Sequence, residues 1–313
     1  MIRVLIPLRV VVTVFAIIAS IAASGAASPL AKLRVPDESF EVGTLHIERH
    51  GSGQQSLILI PGLAGGPWVW AETITKFSPS YTVYTITLPG FDGRPATDEK
   101  LLFDAFARDF WAMLDARKIE KPIVIGHSLG GTLAIALAEE HPQRLCGIVA
   151  VDGLPVFPML AQATPEQRAA SATQMASAYA SLSQADTLAA QKRFMSTIGT
   201  NKPELVEAAA RLQARSDPKA IAAWLQETLV CDLRPKLSRI TIPFLQVMPY
   251  DAVDEKLPMH LPEAQTLAFY QSLLKGAPES AVVTIKPARH FIMLDQPAAF
   301  HDAIEKFLAS IKR

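Results

Sequence analysis

The stretch Pro122-Ile-Val-Ile-Gly-His-Ser-Leu-Gly-Gly-Thr-Leu-Ala-Ile-Ala-Leu-Ala-Glu-Glu140 decides the architecture. Pro122 to Ile125 is short and apolar, which predicts a strand buried on both faces. Leu129 to Glu140 predicts a helix. Between them Gly126-His127-Ser128-Leu129-Gly130 leaves no room for a loop, so the chain must turn sharply at Ser128. Glycines two residues either side let strand and helix approach that closely. A Gly-x-Ser-x-Gly match is weak evidence alone, and its placement between strand and helix is what strengthens it.

The same alternation extends in both directions. Phe40 to His50, Gln55 to Ile60, Tyr81 to Leu88 and Gly147 to Val151 predict strands, with helices over Trp70 to Phe77 and Asp98 to Ile119. It stops at Asp152 and resumes at Thr241: a strand to Met248, a helix from Pro262 to Lys275, a strand from Ala281 to Ile285, and a helix from Pro297 to Ile311. The pattern predicts an α/β fold with a mostly parallel sheet and helices on both faces. The intervening residues, about 153–240, show helix starts at Thr164-Pro165-Glu166-Gln167 and Asp217-Pro218 but no strand. They predict a helical lid inserted into one domain spanning 36–313.

A serine hydroxyl needs a base to take its proton and a group to orient that base. Of seven histidines, His290 alone falls in the loop after the last strand, where it would be presented to Ser128. For the orienting acid the first choice is Asp251, three residues past the strand ending at Met248; Asp152 and Asp254 are the alternatives. An oxyanion needs two fixed N–H donors. Leu129 offers one at its helix start, and Leu63, in Pro61-Gly62-Leu63-Ala64-Gly65-Gly66, is chosen for the other, with Ala64 second. Trp68, Phe91 and His127 are candidate pocket residues, as are Trp70, Met159, Met175 and Met195, although such side chains commonly serve only the core.

These residues resemble the α/β-hydrolase superfamily, in its lid-bearing serine hydrolases of the esterase and lipase type. The resemblance runs from about Phe40 to the C-terminus. It rests on Pro61-Gly62-Leu63, Leu88-Pro89-Gly90-Phe91-Asp92-Gly93, Gly126-His127-Ser128-Leu129-Gly130-Gly131, Asp251 and Ala288-Arg289-His290-Phe291, in the order Ser, Asp, His. It implies an eight-stranded sheet, a lid after the sixth strand, no cofactor, and cleavage of a small-molecule ester or related acyl substrate through an acyl-enzyme on Ser128. An amide, a lactone or a carbon–carbon bond is the alternative target, and a non-catalytic binding protein the reading from another class. Two positions depart from the family pattern: Pro61 stands where a histidine usually opens the oxyanion loop, and Met248 where glycine is common.

Composition narrows the partners. The 313 residues are half apolar and carry 30 basic and 30 acidic side chains. With no long basic run they lack the footprint that nucleic acid requires. Two cysteines, Cys146 and Cys231, are too few for a four-ligand zinc site, no other metal site is expected, and free thiols are favoured over a bridge. Arg3 and Arg9 precede an apolar block, Val10 to Ile21, followed by small residues. Residues 1–27 therefore predict a cleaved signal peptide and a periplasmic or secreted protein. The alternative is an uncleaved membrane anchor, the sole source of membrane contact, with the folded part still outside the cytoplasm.

Overall fold

Eight strands form one sheet in the order β1-β2-β4-β3-β5-β6-β7-β8. The structure is a computed structural model describing residues 30–254 and 261–311; the expected leader, residues 1–27, lies outside them. β1 (Glu38–Val42) and β2 (Leu45–His50) form a hairpin, and β2 runs antiparallel to β4 (Thr82–Thr87). All other pairings, among β3 (Ser56–Ile60), β4, β5 (Ile123–His127), β6 (Gly147–Val151), β7 (Phe244–Pro249) and β8 (Ser280–Ile285), are parallel. β4, β5 and β6 are buried along their whole length, as strands covered on both faces must be, whereas β1 at the edge alternates.

The covering helices are α1 (Ala71–Phe77), α2 (Leu102–Arg117) and α3 (Leu129–Glu140) before the sixth strand, then α8 (Glu263–Leu273), α9 (Ile292–Asp295) and α10 (Pro297–Ser310) after the seventh. The core divides into two layers. Phe106, Phe110, Leu133 and Trp224 lie in one; Trp70, Ile74, Phe300 and Ile304 lie in the other. Leu30 and Leu33 also pack in the second layer, just ahead of the expected domain start.

Four helices, α4 (Pro165–Ala180), α5 (Gln184–Phe194), α6 (Pro203–Gln213) and α7 (Pro218–Val230), occupy the chain between β6 and β7. Their starts follow the sequence signals. Thr164 and Gln167 form a reciprocal capping box for α4, and the Asp217 carboxylate accepts from the Lys219 and Ala220 amides at the start of α7. Ala172 on α4 and Leu225 and Leu229 on α7 form a small core of their own.

One local expectation changes. Phe40 to His50 is two strands, because Gly43 takes a left-handed φ of 56° and reverses the chain. Each arm alternates by itself, but the apolar positions change phase across the turn, from Phe40 and Val42 to Leu45 and Ile47, as pairing on one face requires. Cys146 and Cys231 are both free thiols. Burial, with nearby carboxylates, pushes the Cys231 thiol up to about 12, so it is inert.

Candidate active site

Ser128 stands on the turn from β5 into α3 with φ 54° and ψ −120°, a conformation unfavourable for any side-chain-bearing residue. Its neighbours hold it there. The Ser128 N–H donates to the Val151 carbonyl at the end of β6 (2.9 Å), and its carbonyl accepts from Gly131 and Thr132 (2.9 and 3.0 Å). The sharpness of the turn depends on missing side chains: a Cβ on Gly126 would lie 2.0 Å from the Gly130 carbonyl oxygen.

His290 follows β8 and is tied down from two directions. Its N–H donates to the Ile198 carbonyl (3.1 Å), and its own carbonyl accepts from His127 Nε2 (3.0 Å). The two imidazole rings lie 4.5 Å apart, which brings His290 against the residue that precedes the serine. His127 is buried, and burial, reinforced by His290, holds its pKa well below the ordinary histidine value. It is therefore a neutral positioning group, with its proton on Nε2.

The partner of His290 is Asp152: His290 Nδ1 lies 2.5 Å from Asp152 Oδ2. This corrects the first choice of acid. Asp251 instead accepts from Asn201 Nδ2 (3.0 Å) and from the Val253 amide (3.1 Å). Asp254 is engaged by Arg289 through Nε (2.9 Å) and Nη2 (2.6 Å), a two-point guanidinium–carboxylate pair. Both acids after β7 thus brace the loop that carries His290 rather than its ring.

Asp152 reaches the ring because its backbone turns left-handed directly after β6, at φ 48°, with its N–H bonded to the Val247 carbonyl (2.9 Å). Its second oxygen accepts from the hydroxyl of Tyr270 on α8. Tyr270 is buried, and that burial, with the facing carboxylate, raises its pKa well above the ordinary tyrosine value, so it stays a donor. Sequence reasoning missed Tyr270, Asn201 and Arg289. Asp152 carried a legible signal, being the first residue past a predicted strand next to the serine strand; Tyr270 looked like any apolar position on a helix.

With Asp152 accepting at Nδ1, the proton of a neutral His290 is held there, and Nε2 keeps the lone pair a general base needs. Leu63 lies in a turn closed by the Gly65 amide and Gly62 carbonyl (2.9 Å), and a Cβ on Gly62 would lie 2.9 Å from the Ser128 Cβ. The candidate oxyanion loop therefore presses directly on the serine. Leu129 is the first residue of α3, where an amide has no intrahelical acceptor. Of the candidate pocket residues, Trp70, Phe91 and Met195 are fully buried core. Trp68 is also buried and stacks on Phe291 (6.1 Å), while Met159 and Met175 are exposed. Among the described residues no cluster of side chains could hold a metal ion.

A family model described as "Alpha/beta hydrolase family" matches residues 57–303. The pimeloyl-[acyl-carrier protein] methyl ester esterase of Aeromonas hydrophila is 25% identical over 275 residues, covering 85% of this chain and 99% of that protein. A putative carbamate hydrolase, RutD, of a Caulobacter species is 34% identical over 121 residues, 37% of this chain and 45% of that protein. Among solved structures, a thermophilic esterase from Thermogutta terrifontis superposes with a TM-score of 0.70 at 19% identity, covering 88% of this chain and all of that one.

Proposed function

Because the chain belongs to the alpha/beta hydrolase family and is a hydrolase, we propose that it cleaves carboxylic esters through an acyl-enzyme on Ser128. The observation that carries this reading is the His290 Nδ1–Asp152 Oδ2 contact of 2.5 Å, set beside the strained serine turn. His290 Nε2 takes the Ser128 proton as Oγ attacks the acyl carbon, and returns it to the departing alcohol. Asp152 fixes the imidazole tautomer and stabilises the imidazolium, with Tyr270 holding the carboxylate in place. The Leu63 and Leu129 amides receive the oxyanion; water, activated by His290, then frees the acid.

The esterase among the relatives supports an ester as the scissile group. The helices between β6 and β7 are read as a lid over the site, and residues 1–27 as an export signal that places the enzyme outside the cytoplasm. The test is hydrolysis of p-nitrophenyl acetate and butyrate, with fluorophosphonate labelling. The wild type should turn over both esters, and Ser128→Ala should lose turnover by at least about 10⁴-fold together with all labelling. A wild-type protein that neither hydrolyses these esters nor accepts the label would sink the proposal.

A further inference from the structure

Three consecutive residues of the helical insert, Arg215, Ser216 and Asp217, lie on the turn between α6 and α7, and each reaches the loop Leu88–Gly93 that follows β4. Arg215 Nη1 lies 3.2 Å from Asp92 Oδ1, and its Nη2 donates to the Asp92 carbonyl (3.3 Å). The Asp217 amide donates to the Gly90 carbonyl (2.8 Å). Between them Ser216, 1% exposed, uses its hydroxyl in both directions. Its Oγ accepts from the Asp92 amide (3.1 Å) and donates to the Ala64 carbonyl (3.3 Å).

The two residues joined by that hydroxyl share an uncommon property. Ala64 has φ 57° and Asp92 has φ 48°, both left-handed without being glycine. Such conformations persist only where surrounding structure holds them. Ala64 is also the residue after Leu63 in the turn closed between Gly62 and Gly65. The same loop is pinned again two residues on, where the Asp92 carboxylate sits so close to Gly66 that a Cβ there would lie 2.5 Å from Oδ2. Ser216 is not needed to start α7, because Asp217 caps that helix. Its side chain makes no other hydrogen bond among the described residues, so both of its bonds serve the two loops.

We propose that Ser216 is a positioning residue for the oxyanion loop, through which the helical insert sets the placement of the Leu63 amide. The inference rests on the reading of Leu63 as an oxyanion donor. Ala64 relaxing from the left-handed region rotates the peptide between Leu63 and Ala64 and displaces the Leu63 amide beside it. An N–H donor contributes most when it needs no reorganisation as charge develops, so loosening this turn weakens transition-state binding more than substrate binding.

The experiment compares kcat and KM for p-nitrophenyl acetate with the inhibition constant of a trifluoromethyl ketone, whose tetrahedral adduct places an oxyanion in the site. Ser216→Ala should lower kcat about tenfold, leave KM within about twofold, and weaken the ketone about tenfold, while Ser216→Thr retains most of both. Arg215→Met, at a side chain 54% exposed, should shift kcat and ketone affinity the same way by about threefold. That variant decides the matter if Ser216→Ala does not fold. Wild-type kcat and ketone affinity in either folded variant would overturn the proposal, as would a Ser216→Thr no better than alanine. An active, fluorophosphonate-labelled enzyme with unaffected variants sinks this inference alone, whereas a wild type without esterase activity sinks the serine-hydrolase reading and this inference with it.

Discussion

The loops after β6 and β7 each present an aspartate near the carboxyl ends of the strands, and they use it in opposite ways. Asp152, first residue after β6, turns left-handed and meets His290 Nδ1 at 2.5 Å. Asp251, two residues after β7, closes a turn with Val253 and is held by Asn201. The difference lies in what stands behind each carboxylate. Behind Asp152 is the buried Tyr270 hydroxyl, which occupies the second oxygen and leaves the first for the imidazole. Around Asp251 are Asn201 and the Arg289–Asp254 pair, which fasten the His290 loop to the residues after α5. One loop supplies the charge at the ring, and the other supplies the rigidity of the backbone that bears the ring.

The contrast is broken or upheld most sharply by exchanging the two acids. Asp152→Asn should lower kcat for nitrophenyl esters by about 10³- to 10⁴-fold, because the amide no longer holds the productive tautomer. Asp251→Asn should stay within about threefold of wild type, since the amide can still accept a hydrogen bond. The reverse ranking in steady-state rates would return the acid role to the loop after β7. Next in size, Tyr270→Phe should reduce kcat about tenfold at little change in KM, by removing one bond to a charged acceptor without loss of volume. In an Asp152→Asn background the same change should cost almost nothing further, a coupling that a packing role for Tyr270 would not produce.

The smallest effect concerns a third carboxylate, Glu139 on α3, whose buried Oε1 has no hydrogen-bond partner. Burial lifts its pKa from the ordinary 4.5 to about 7. A carboxyl raised in the folded state favours folding while it is protonated, so its contribution is full below 4.5 and is lost as the pH rises through about 7. Thermal unfolding should therefore show wild type losing stability relative to Glu139→Gln across that interval, with the gap constant on either side. A gap that does not vary with pH would refute the assignment.

Much of this was legible without coordinates, for physical reasons. Buried parallel strands must be short and apolar, so Pro122 to Ile125 and Gly147 to Val151 stand out, and the observed strands Ile123–His127 and Gly147–Val151 begin within one residue of those readings. Helix starts are local chemistry, which is why Thr164-Pro165 and Asp217-Pro218 mark α4 and α7 correctly. Ser128 was readable because its strained turn demands glycines at fixed spacing, and His290 because its place after the last strand follows from strand order. Asp251 was misread because distance along the chain from a strand end does not say where a carboxylate points. Tyr270, Asn201 and Ser216 left no trace, since each acts through a single polar atom on an otherwise ordinary helix or turn.

The sequence by itself determined the alternation of strands and helices, the sharp turn at Ser128, the place of His290 after the last strand and the helices between β6 and β7, through periodicity, glycine spacing and capping. Only the tertiary structure decided which aspartate meets His290, that Tyr270 backs it, and that Ser216 joins the turn between α6 and α7 to the loop after β3. Those contacts bring together residues far apart in the chain, up to 152 positions between Ala64 and Ser216. Their geometry depends on left-handed backbone at Ala64, Asp92 and Asp152, which the surrounding contacts hold in place.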